Sequence, residues 1–434
     1  MLLFKKNLFI LYFKRVYKTN TIYKRTLIIL LNIKMLAAPT LLLDLFNAYY
    51  KARKNKRNTI NQLEFEINYE SNLIQLHNDI VNRVYSISPS ICFIVNKPVK
   101  REIFAAHFRD RVVHHLLFNY INPSFENQFI EDSYSCRKGK GTHYGISRLY
   151  DSIKECSQNY KENCYVLKLD IQSYFMSINK TILQQQLTTT ITNANTIQPA
   201  IKDLSYYLID TILASNPTKN CTIKGKRSDW NGLPKSKSLF FAKPNCGLAI
   251  GNLTSQLFSN IYLHNFDTFI KKEHNIKYYG RYVDDFYILA PSILYLKKII
   301  TVCKNYLKTQ LGLQLHPKKI FLQHFSKGVN FLGATLKPHR KYVSNRAKIN
   351  FKSCVHSYIL FLQNTAPTHS NLLQIRAALN SYLGILRHYR TYNIRYNTLL
   401  KDRNNLLFKY GYVVALNNGA MIYKLHSFLV HKTL

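Results

Sequence analysis

The sequence predicts an α+β protein. Strand-like runs rich in Tyr, Ile, Val and Phe gather in its middle, helix-spaced apolar stripes lie on both sides of them, and basic residues outnumber acids along its whole length. With 434 residues and 47% hydrophobic content, the chain can bury a large core and divides into more than one domain or subdomain. Against 61 Lys and Arg stand 22 Asp and Glu, a formal net charge of +39. An excess of that size is hard to keep compact without a polyanion, and nucleic acid comes first because the basic residues are interleaved with 32 Tyr and 25 Phe. Part of the Lys, Tyr, Asn and Ile richness also fits an AT-rich genome.

In chain order, residues 1–34 hold no acid and eight Lys or Arg. Their apolar runs are far shorter than the roughly 20 residues of a membrane span. They read as a loose basic arm, or as translated sequence upstream of a natural start at Met35, in preference to an organelle-targeting peptide; a cytoplasmic location without membrane partners is expected. Leu42, Leu45, Phe46 and Tyr49 then repeat at helical spacing until the polar run 51–58, and a second helix covers 71–85. Residues 86–98 read as a loop entering a short strand at 92–95, closed by Pro98. Dense charge over 100–119 suggests a helix or helix pair, followed by an irregular crossing at 121–130. His107, His114 and His115 read as ordinary helix residues. The eight cysteines include no C-x-x-C and no zinc-ligand spacing, so they are expected to be reduced thiols.

Residues 133–143 form a Gly-punctuated basic loop in which Arg137, Lys138 and Lys140 suit a triphosphate or a phosphate backbone, although a plain surface loop has the same composition. A helix follows at 144–156. Residues 165–171 alternate as a strand, with Asp170 on the face of Val166 and Lys168. The stretch 188–240, with a helix over 200–214 and the single Trp230, is the least legible. A Gly-led turn, Asn252 as N-cap and a helix reaching Lys272 come next.

Residues 277–289 read as a β-hairpin with Asp284 and Asp285 at its tip. Adjacent Asp residues are either a solvated turn or half of a metal site that needs a tight turn and a third carboxylate; Asp170 is the candidate. After the hairpin come a helix at 292–311, a link with Pro317, Lys318 and Lys319, strands at 329–336 and 342–343, and helices from 347 to the end. In those helices Leu372, Ile375, Leu379, Tyr382, Leu383 and Leu386 form one stripe.

A strand-end Asp170, a Gly251-led helix, Tyr-x-Asp-Asp at 282–285, Pro-Lys-Lys at 317–319 and Phe331-Leu332-Gly333 follow one another in the order seen in reverse transcriptases. The resemblance covers about residues 41–395. It implies a right-hand polymerase: N-terminal helices and fingers at 35–160, a palm with an antiparallel sheet at 161–345 interrupted by an insertion at 181–245, and a helical thumb at 346–434. It further implies two Mg²⁺ ions, or Mn²⁺, held by Asp170, Asp284, Asp285 and the Ile171 carbonyl, oxygen ligands that match a hard cation. Arg137 matches a triphosphate clamp and Phe175 the aromatic gate against a ribose 2′-hydroxyl. Lys319, or Lys318 beside it, matches the proton donor to pyrophosphate, and Phe331, Leu332 and Gly333 match the primer grip.

The Ile250-Gly251 to Ser255-Gln256 form is similar to that of diversity-generating retroelement enzymes within the group II intron-like reverse transcriptases, as are residues 109–115, 136–142 and 381–384. Many other reverse transcriptases have Gln-Gly and Ser-Pro there, and the resemblance implies that Ile250, Gly251 and Gln256 contact the dNTP. The subclass implies error-prone copying at template adenines, an RNA template, a primer, dNTPs and a small basic accessory protein as a candidate partner. Reverse transcriptases of antiviral defence, and a nucleic-acid-binding polymerase fold without activity, are the competing expectations.

Overall fold

A computed structural model describes residues 38–54, 59–96, 99–401, 406–417 and 419–427. The basic extension 1–34 and Pro98 lie outside these. The chain divides into two compact units.

One unit collects residues up to 89, 106–120 and 197–215. Helices Ala38–Arg53, Ile60–Ile67 and Tyr69–Val81 meet through aromatic rings: Tyr49 stacks on Tyr69 at 5.1 Å, and Phe65 meets Phe108 edge-on at 5.3 Å. Asp110 is fully buried and accepts hydrogen bonds from the Tyr85 hydroxyl (2.8 Å) and the Ser88 amide (3.0 Å). Burial pushes its carboxyl pKa up, against those bonds and the nearby Arg109 charge. Arg109 in turn donates to Asp79 and the Ser86 carbonyl. The Arg109-Asp110 pair thus ties its helix to the 82–89 loop, and His114 is buried in the same helix.

The other unit holds the remainder. Its first sheet has the order β2-β1-β4, from β1 (Ser90–Val95), β2 (Arg101–Ala105) and β4 (Cys221–Ile223). The strand β2 corrects the expected helix over 100–119. Glu102 and Phe104 share a buried face, and the period of two was hidden because one buried residue is an acid. A helix begins only at Phe108 and continues through Pro123 to Glu126, where an irregular crossing was expected.

The second sheet, order β5-β6-β3-β7, is antiparallel throughout: β3 (Tyr165–Asp170), β5 (Tyr278–Tyr282), β6 (Asp285–Ala290) and β7 (Phe321–His324). Helix Ile293–Leu311, capped by the Ser292 side chain, buries Leu296, Ile299, Cys303 and Leu307. Helix Leu253–Tyr262 buries most of its surface; Asn252 stands at its N-cap position without a side-chain cap bond.

A three-stranded meander follows, β8 (Val329–Phe331), β9 (Ala334–Lys337) and β10 (Arg340–Val343). The single strand expected over 329–336 is therefore a hairpin. Leu332 and Gly333 both take positive φ (47° and 83°), the backbone of a tight two-residue turn.

Helices Asn345–Asn364 and His369–Leu386 bury the predicted Leu372, Ile375, Leu379, Leu383 and Leu386 stripe. Short helical segments at Tyr392–Arg395, Tyr396–Leu400 and Leu406–Tyr410 still follow the helical expectation, and the chain departs from it in a hairpin of β11 (Gly411–Ala415) and β12 (Met421–Leu425). The Asn380 side chain grips the Tyr423 backbone from both sides, at 2.9 and 2.7 Å, as a neighbouring strand would. The cysteines are free thiols, and among the described residues no helix is long and apolar enough to cross a membrane.

Candidate active site

The pairing of β3 with β6 sets Asp170 directly opposite Asp285. A slip of one residue would turn either carboxylate to the other face of the sheet, so the buried Val166, Leu167, Leu169, Phe286 and Ile288 that lock the register also lock the acids. The turn between β5 and β6 is only Val283-Asp284. Val283 has φ +56°, an uncommon conformation for a β-branched residue, and this tight bend brings Asp284 beside Asp170. The Ile171 amide donates to the Asp284 carbonyl at 3.1 Å, while the His316 amide donates to the Asp170 carbonyl at 2.8 Å. Asp170 therefore lies between the hairpin tip and residues 314–319.

The electrostatics reflect burial first and crowding of like charge second. Burial, then the Asp170 charge, pushes the Asp284 carboxyl up to about 6. Burial also pushes Asp285 up to about 6, with Lys168 opposing and Asp170 adding to the rise. Two lysines face the cluster: Lys319 Nζ lies 2.7 Å from Asp170 Oδ2, and Lys168 Nζ 4.0 Å from Asp285 Oδ1. Lys319, not Lys318, is the lysine that reaches the site; the Lys318 amide bonds to His316. Among the described residues no three His, Cys, Asp or Glu side chains converge as a metal cluster in this arrangement. The donor set nevertheless suits a hard divalent cation: all-oxygen, mutually repelling, and faced by the ammonium groups of Lys168 and Lys319.

What holds the hairpin tip was not anticipated. Arg281 on β5 is completely buried, and so is its partner Asp267, which it meets through Nε at 2.7 Å and through a terminal nitrogen at 2.6 Å. Its other terminal nitrogen donates to the Val283 carbonyl at 2.9 Å, fixing the strained residue of the turn. The Asp267 charge keeps this guanidinium above its ordinary pKa even though burial opposes it. Tyr279 adds a 2.5 Å bond to the same carboxylate.

The outer edge of β5 is also paired. Arg281 N donates to the Asp132 carbonyl and Tyr134 N to the Arg281 carbonyl, so residues 132–134 run alongside the hairpin and anchor the basic loop that follows. An Arg among tyrosines in a buried strand, with an Asp fourteen residues before it, was the available signal.

Of the predicted nucleotide contacts, Phe175 and Ile250 are brought together. Both pack against the cluster of Cys92, Phe104, Met176 and Leu239. The Phe175 carbonyl accepts from Leu248 N (2.8 Å), and the Ile250 carbonyl accepts from Phe104 N (2.9 Å). Gly251 has φ +131°, and a Cβ there would lie 2.9 Å from the Phe104 carbonyl oxygen, so only glycine allows this turn to lie against β2. Gln256 is exposed on the helix that follows.

Phe331 is buried and meets Tyr287 edge-on at 5.4 Å, while in the turn of the hairpin Leu332 is half-buried against the same core and Gly333 is exposed. Arg137 is turned inward. It donates to Glu126 (2.8 Å) and to the carbonyls of Ile130 (2.6 Å) and Ser133 (2.9 Å), leaving Lys138 as the exposed cation of its loop.

The family described as reverse transcriptase (RNA-dependent DNA polymerase) matches residues 96–336, more than half of the chain and the whole of this site. The chain belongs to the reverse transcriptase family. It is 22% identical over 260 residues to Protein YkfC of Escherichia coli (strain K12), across 52% of this chain and 61% of that protein, so it spans less than two thirds of this relative's length. Solved structures similar to this chain include apo telomerase from Candida tropicalis (12% identity, 74% of this chain and 60% of that one, TM-score 0.43). Another is telomerase from Candida albicans in complex with a TWJ fragment of telomeric RNA (10% identity, 74% and 58%, TM-score 0.39).

Proposed function

We propose that the chain is an RNA-directed DNA polymerase that extends a primer 3′-hydroxyl with dNTPs on an RNA template. We further propose that it copies with low fidelity at adenines, as an enzyme of a diversity-generating retroelement would. The observation that supports the polymerase reading is the register that sets Asp170 opposite Asp285 at one end of an antiparallel sheet, with Asp284 in the adjoining turn and Lys319 on Asp170. Two Mg²⁺ ions, or Mn²⁺, bound by these carboxylates and the Ile171 carbonyl would supply charge neutralisation and Lewis acidity for an in-line displacement.

The chain's own residues do the positioning. The primer 3′-hydroxyl would release its proton to solvent as its oxygen bonds to the α-phosphorus and the bond to pyrophosphate breaks, and Lys319, released from Asp170, would give a proton to the leaving oxygen. Phe175 closes the space where a ribose 2′-hydroxyl would sit. Arg137 would clamp the triphosphate only after leaving Glu126, so its role requires movement of the basic loop. Phe331, Leu332 and Gly333 would support the primer end.

The low-fidelity reading rests on Ile250. Its side chain packs on an apolar cluster and offers no hydrogen bond to an incoming nucleotide, so discrimination falls to base pairing. Mg²⁺-dependent extension of oligo(dT) on poly(rA) by the full chain, abolished in Asp284→Ala, tests the polymerase; synthesis by the variant would refute the site. Sequencing of cDNA from wild type and Ile250→Gln tests fidelity, and equal error rates at adenines would remove the subclass.

A further inference from the structure

We propose that the insertion between Asn216 and Cys246 is a docking surface for the unpaired RNA template strand, a role distinct from the carboxylate site and resting on the polymerase reading. Every Lys and Arg in this stretch is exposed, among them Lys224, Lys226, Arg227, Lys235, Lys237 and Lys243. The single acid, Asp229, is turned onto the Lys226 amide at 2.9 Å and does not offset them outward. Such a concentration of cations repels itself unless an anion covers it.

The surface is rigid, not a loose loop. Glu102 on β2 is 1% exposed and gathers three donors from the insertion: Trp230 Nε1 at 2.7 Å, the Ser238 hydroxyl at 2.8 Å and the Leu239 amide at 2.6 Å. Lys100 Nζ bonds the Asn231 carbonyl at 2.6 Å, and β4 joins the edge of β1. A buried carboxylate with three donors fixes the segment's path and so fixes where its cations point.

Two adjacent rings distinguish the occupant. Phe241 is 60% exposed with Lys235 Nζ 5.4 Å from its centroid, and Phe240 is 39% exposed with its ring 5.5 Å from buried Phe104. Exposed rings set among cations are a stacking platform for unpaired bases, whereas a duplex hides its base faces and an acidic protein has no need of them. Phe104 is also the residue whose amide holds Ile250, so the platform adjoins the nucleotide turn, where a template strand is still single.

The test compares wild type, Phe241→Ala and Lys235→Glu/Lys237→Glu full chains. Binding is measured by anisotropy on primer–templates with a 2-nucleotide or a 15-nucleotide 5′ RNA overhang, and on a 15-nucleotide RNA alone, with melting temperature as the folding control. The expected result is that wild type prefers the long overhang, and that each variant loses about tenfold on it and on the free RNA. Melting and short-overhang extension should stay unchanged. Equal losses on both overhangs, wild-type binding by the variants, or equal competition by polyglutamate of matched charge would overturn the proposal. Failure of the polymerase reading shows separately, as absence of Mg²⁺-dependent extension by wild type while the RNA-binding comparison still reports on the surface.

Discussion

Replacing Asp284 with Asn should abolish the proposed nucleotide addition and stabilise the chain in the absence of divalent cations. In the folded chain this carboxyl is held up to about 6 from an ordinary 3.8, because burial and then the Asp170 charge oppose its ionisation. A raised acid binds its proton more tightly in the folded than in the unfolded state. Its contribution to stability is therefore fullest below pH 3.8, falls as pH rises toward 6, and is gone above. The Asn variant lacks that titration, so its advantage over wild type should grow from about 1 kcal/mol near pH 4.5 to about 3 kcal/mol near pH 7.5. Urea unfolding of both proteins in EDTA across that range measures the difference directly. Millimolar Mg²⁺ should then stabilise wild type and close the gap, since a cation that binds only the folded state acts by mass action. An advantage over wild type no larger at pH 7.5 than at pH 4.5, or a variant less stable than wild type throughout, would refute the claim that burial and the neighbouring acids oppose ionisation of Asp284.

Arg281→Met should cost about 3 to 5 kcal/mol by stranding buried Asp267, and Arg281→Met/Asp267→Asn should cost less than the sum of the single changes in a urea double-mutant cycle. Lys319→Met should slow single-turnover nucleotide addition by about a hundredfold while primer–template affinity holds, and an unchanged rate would exclude it as proton donor. Gly251→Ala places a Cβ against the Phe104 carbonyl in a backbone region that disfavours side chains; it should raise the KM for dNTP in steady-state extension. Phe175→Ala should admit ribonucleotides, read as rNTP incorporation on a denaturing gel; unchanged sugar selection would show that Phe175 only packs the core.

The parts legible in the sequence are those whose chemistry is local. The alternation around Asp170 and the Tyr-rich hairpin carrying Asp284 and Asp285 each announce a strand, and their pairing follows because a buried face permits one register. Elements whose stability depends on distant partners were hidden. Glu102 interrupts the apolar pattern of β2 and is buried only because Trp230, Ser238 and Leu239 supply its donors from more than a hundred residues away. The hairpin of β11 and β12 carries β-branched and aromatic residues around Gly419, but it follows a helix whose stripe suggested more of the same.

Arg281 is the sharpest case, since a charged residue in a strand ordinarily argues for solvent, and here it argues for the opposite. Its guanidinium has a buried carboxylate on one side and the carbonyl of a strained Val283 on the other. The turn that aims Asp284 is thus held by an ion pair, which keeps its strength only while water is excluded from it. Loosening that pair should let the hairpin tip relax and the carboxylates separate, so the precision of the acidic cluster is a property of Arg281 and Asp267 as much as of the acids themselves.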